Sequence, residues 1–122
     1  MNSFAKTRFI LLVYVLLVIL VSLVPSNGFS FWHIDKIGHF FAYGGMAILA
    51  LLSFDVNSTK LAALLGSVGL GALLEWGQSF VPGRDMSLID GIVNALGVLL
   101  GALFFHFRGH TLLNWIKSHL RW

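Results

Sequence analysis

The sequence contains no cysteine, has only two prolines, and devotes just 11% of its 122 positions to charged residues. Without cysteine there can be no disulfide and no thiolate metal site, and the redox compartment leaves no trace. The scarcity of charge, against about 25% in soluble domains, excludes an ordinary solvated surface. Also missing are the G-x-S-x-G, P-loop, H-E-x-x-H and Rossmann patterns, so the familiar soluble chemistries lack their signatures. No internal repeat or low-complexity run is present.

What remains is strongly apolar: 57% of residues are hydrophobic and the mean hydropathy is +0.86. This composition describes a membrane protein, and the length fits one domain of four apolar segments of roughly 16–21 residues. The net charge is +3, but the Lys and Arg side chains sit at segment ends rather than in a patch. They read as topology signals, with the lipid bilayer and not nucleic acid as the partner. The predicted fold is all-α: a four-helix transmembrane bundle over residues 1–107, with helices at about 9–24, 37–54, 61–81 and 88–107. A short amphipathic interfacial helix is expected in the tail, 108–122, where Leu112, Leu113, Ile116 and Leu120 share one side and Trp115 and Trp122 are anchors.

Lys6 and Arg8 followed by the apolar run Phe9 to Val24 resemble a signal peptide, yet no small-x-small site closes the run and Pro25 follows it directly. An uncleaved first helix is expected, slightly short for a 30 Å core at about 24 Å. Pro25 to Asp35 reads as an interfacial loop, and Asp35 as the cap of the second helix. The short polar connection Asp55 to Lys60 joins antiparallel neighbours.

Three polar stripes interrupt the apolar helices. Lys36, His39 and Tyr43 share one face of the second, and Ser67, Gly71, Glu75 and Gln78 one face of the third. The VPGR run, Val81 to Arg84, breaks the chain, and Ser87 with Asp90 forms an S-x-x-D capping pair. Asp90, Asn94, Gly97 and Gly101 then line the fourth helix, the glycines allowing close approach of a neighbour. The stripes of helices three and four are expected to face each other.

With four spans, Lys6, Arg8, Lys60, Arg108, Lys117 and Arg121 fall on one side and Lys36 and Arg84 on the other. The positive-inside rule therefore places both termini in the cytoplasm and gathers the polar stripes into an outward-facing cup. There the N-termini of helices two and four, beside Lys36, Arg84 and His39, favour anions. A membrane carboxylate costs at least about 2.5 kcal/mol and is a functional candidate by default. Glu75 is thus a candidate acid or base, or else a structural partner of Arg84 or His39. Asp90 can serve chemistry or only the cap; His39 can be an acid/base, a ligand or a packing residue. Lys36, Arg84, Gln78, Asn94 and Tyr43 are the candidate ligand-binding groups. A metal site of His33, His39, Glu75 and Asp90 lacks any tight ligand spacing, so neither metal nor cofactor is expected.

Asp35-Lys36, His39-Phe40 and Tyr43, followed by Glu75, Gln78, Pro82, Arg84, Ser87, Asp90, Asn94, Gly97 and Gly101, resemble the VanZ-like family from about Asp35 to Gly101. The resemblance implies a small polytopic protein of the bacterial cytoplasmic membrane, from a family whose namesake is associated with teicoplanin resistance. Three functions compete. The leading one is binding of an anionic lipid headgroup or cell-wall precursor at the cup, in an envelope or antibiotic-tolerance role. The second is a transferase or hydrolase acting on a lipid-linked phosphate or glycan, with Glu75 or Asp90 as base and His39 as acid/base. The third is a proton-coupled transporter, or a scaffold subunit in a larger assembly with oligomeric or membrane partners.

Overall fold

The computed structural model describes residues 2–25 and 32–120, with the backbone alone for 32–34. The described residues form four α-helices in up-and-down order and no strand: α1 (Ser3–Leu23), α2 (Trp32–Ser53), α3 (Asn57–Gln78) and α4 (Leu88–His119). Each contains a stretch long and apolar enough to cross a membrane. One end of the bundle gathers the α1 C-terminus, the α2 N-terminus, the α3–α4 connection and the start of α4; this is called the site end below.

The starts of α1 and α4 follow capping side chains rather than the edge of apolarity. Asn2 caps α1, its Oδ1 accepting from the Ala5 N–H at 2.8 Å, so α1 has 21 residues and spans about 32 Å instead of the expected 24. Because α2 begins at Trp32, Asp35 lies inside its first turn rather than capping it. There its charge still complements the partial positive charge of the helix N-terminus. α3 starts at Asn57, a turn before its apolar body, and ends at Gln78. Residues 26–31 of the expected interfacial loop, the His33 side chain and Trp122 lie outside the described residues.

The tail is not a separate element, because α4 continues through it to His119. No proline interrupts this stretch, and a single interior glycine costs only about 1 kcal/mol. Gly109 is buried beside the Phe105 ring. At 32 residues, α4 is about 48 Å long and overruns a hydrocarbon core of about 30 Å.

The core is small. Tyr43, Met46, Ala47 and Val98 are buried, with Leu64, Leu70 and the α1 residues Leu11, Val15 and Val18 packed around them. Large apolar side chains such as Leu16, Leu20, Phe41 and Leu99 point outward, as a lipid solvent allows. The main interface is between α2 and α4, and glycine makes it: a Cβ at Gly97 would lie 2.5 Å from Phe40 O, and one at Gly101 2.5 Å from Gly44 O. The Gly97-x-x-x-Gly101 face therefore meets α2, not α3. Only farther toward the site end does the α4 stripe meet α3, where Asn94 packs on Gly71.

Candidate functional site

After Gln78, Val81 to Arg84 form a tight turn in which Arg84 N–H donates to Val81 O at 3.1 Å. Pro82 occupies its second position, and Gly83, at φ 75°, its third. Positive φ at that place is the requirement of a type II turn, which glycine meets without strain. The chain then enters α4 at Ser87, whose Oγ accepts the Asp90 N–H at 3.3 Å.

The other half of this cap comes from another helix. Glu75 Oε2, on the last turn of α3, accepts the Ser87 N–H at 3.3 Å, the role a carboxylate three residues into the helix plays in a capping box. Asp90 is thereby left to bind Lys36 of α2, with Nζ and Oδ1 2.5 Å apart and both groups largely buried. His39, one turn beyond Lys36, places Nδ1 2.9 Å from Asn94 Oδ1. Three carboxylates surround the same imidazole: Asp35 at 3.7 Å, Glu75 at 3.8 Å and Asp90 at 3.9 Å. These separations exceed hydrogen-bonding range, so the carboxylates act on His39 through their charge. The Asn94 amide nitrogen, fully buried, has no hydrogen-bond partner among the described residues.

Gln78 and Arg84 reach α1 instead. Gln78 Nε2 donates to Ser22 O at 3.1 Å; Arg84 donates from Nε to Val24 O at 2.7 Å and from Nη2 to Val21 O at 3.2 Å. The last carbonyls of a helix lack intrahelical partners and carry partial negative charge, so a guanidinium there is well placed. Glu75 thus has His39 and the Ser87 amide as neighbours, and among the described residues Arg84 forms no ion pair.

Beside this network a cavity of about 470 Å³ opens between α1 and α2. Its apolar wall is Leu17, Val18 and Val21; its polar wall is Asp35, His39, Tyr43, Gln78 and Arg84. Lys36, Glu75, Asp90 and Asn94 do not line it. The predicted residues are therefore brought to one end but divided into a paired cluster and a cavity wall, with His39 belonging to both. Sequence reasoning missed Asp35 as a lining group and the α1 wall altogether; the only signal was the rule that the terminal carbonyls of α1 need partners.

Asp35, His39 and Asp90 each bring one potential ligand atom to within 4.8 Å of the others. The Lys36 ammonium on Asp90 already supplies positive charge at that point, which disfavours a second cation.

Four apolar helices with a polar network and an amphipathic cavity at one end define a small polytopic membrane protein. The sequence matches the family model described as VanZ/LLP1 over residues 2–109, and the chain belongs to that family. The match takes in α1, beyond the stretch from Asp35 to Gly101 that carries the polar motif. No curated protein and no solved structure matches the chain.

Proposed function

We propose that this protein binds the polar head of an anionic amphiphile, a lipid headgroup or lipid-linked cell-wall precursor, in the cavity between α1 and α2. The two-faced lining carries the reading: aliphatic side chains of α1 oppose His39, Gln78 and Arg84 across about 470 Å³, a size and composition suited to a ligand with an apolar stem. Arg84 bonds neutral carbonyls and, among the described residues, no carboxylate, so its charge supplies the affinity for an anion with the His39 ring as a hydrogen-bonding neighbour, while Lys36 is neutralised by Asp90. The distribution of Lys and Arg supports a cytoplasmic-membrane protein with cytoplasmic termini and an outward-facing site, hence a role in the envelope. The test is binding of a polyprenyl phosphate to the reconstituted protein. His39→Ala and Arg84→Ala should each weaken it at equal folded yield, and unaltered binding in both variants would end the proposal.

A second reading rests on His39, which lies among three carboxylates while lining the cavity. That setting suits an acid/base in hydrolysis of a lipid-linked phosphate, provided the reacting atom comes within about 3 Å. Phosphate release from a polyprenyl diphosphate that disappears in His39→Gln, with binding retained, would support it. Release at the wild-type rate in that variant would exclude His39 from the chemistry.

A further inference from the structure

The end of the bundle opposite the site holds a larger cavity, about 710 Å³, bounded by the start of α1, the α2–α3 connection and the overrunning turns of α4. We propose that it binds an anionic diacyl phospholipid, with Lys60 and Lys117 on the phosphate and the start of the acyl chains against Leu64, Phe105 and Leu113.

The lining is graded by depth. Lys60, Asn57 and Asp55 sit at the level of the helix connection, and Lys117 reaches the same cavity from the last turns of α4. A turn or more deeper, Leu64, Leu51 and Phe105 make an apolar floor, and Leu113 and Ile116 cover it from the overrun. A lipid has the same order of polar and apolar parts. Among the described residues neither lysine pairs with a carboxylate, and Asp55 is the sole acidic group in the lining against two ammonium groups and two histidines. Arg8 does not line this cavity; its Nε donates to Ser53 O at 3.0 Å and its guanidinium lies over the Phe54 ring.

The geometry of α4 favours a membrane lipid over a soluble anion. Because the helix overruns the hydrocarbon core, Leu113 and Ile116 form an apolar face where the headgroup region begins. A free phosphate would leave that face wet, whereas a diacyl lipid covers it. Lysines near an anionic headgroup contribute about 1 kcal/mol each, so removing both should weaken binding roughly 30-fold.

The full chain in nanodiscs of phosphatidylcholine with a minor fraction of phosphatidylglycerol, read by native mass spectrometry, provides the test. The expected result is a phosphatidylglycerol adduct that survives activation, weakened roughly 30-fold in the Lys60→Gln/Lys117→Gln double variant. Lys117→Glu, on an exposed turn, should weaken it as well, and the double lysine variant should lower it by the same factor in a His39→Ala background, which separates this site from the cavity at the other end. Phosphatidylglycerol retained equally by both lysine variants, or phosphatidylcholine retained as firmly as phosphatidylglycerol, would overturn the proposal.

Discussion

The two ends of the bundle handle charge in opposite ways. At the site end Lys36 is closed on Asp90, Glu75 on the Ser87 amide and Arg84 on the α1 carbonyls. At the opposite end Lys60 and Lys117 face a cavity without a carboxylate partner among the described residues. One device is common to both ends: an arginine donates to the carbonyls that end a neighbouring helix, Arg84 at α1 and Arg8 at α2. The contrast shows which charges build the fold and which are spare. A charge that joins two helices cannot be removed without leaving its partner stranded, whereas a charge that faces only a cavity can.

This contrast can be broken by substitution. The largest effect is expected from Lys36→Met, which strands Asp90 in a largely buried position and should cost about 3 kcal/mol of stability. Lys36→Met combined with Asp90→Leu should recover much of it. Denaturant titration in micelles would check both, and a single variant as stable as wild type would show that the pair does not join α2 to α4.

Next come the two arginines. Arg84→Ala and Arg8→Ala should each lose about 1.5 kcal/mol, the contribution of a hydrogen bond from a charged donor. Hydrogen exchange should rise in the last turn of α1 for the first variant and the last turn of α2 for the second. Exchange raised uniformly along the chain would contradict a local role. The smallest effect belongs to Lys60→Gln/Lys117→Gln, which should change stability by less than about 0.5 kcal/mol in lipid-free micelles. A loss as large as that of Lys36→Met would make the two ends alike.

Much of the fold was legible because its signals are local. The four spans came from apolar runs, the turn from Pro82 and Gly83, and the α4 start from Ser87, each carried by a few adjacent residues. The inward stripes on α3 and α4 were legible too: Ser67, Gly71, Glu75 and Gln78, like Asp90, Asn94, Gly97 and Gly101, are buried. What escaped was information that no side chain encodes. α1 is apolar almost throughout and joins the site through the carbonyls of Val21, Ser22 and Val24, which every sequence possesses. Gly97 and Gly101 announced a close approach but not to which helix, and the answer, Phe40 and Gly44, required the third dimension. The expected end of α4 at Phe107 failed because the pattern marked where apolarity changes, while no proline stands there to break the helix.

The unbroken run of α4 has a mechanical meaning. From Asp90 to Lys117 it is a single shaft, carrying the Lys36 contact near one end and a wall of the opposite cavity near the other. No proline breaks it, so the two ends of the bundle share one continuous hydrogen-bonded backbone. The Lys36 contact and the far lysine are thus fixed to one rigid element, and their separation is set by the length of that helix alone.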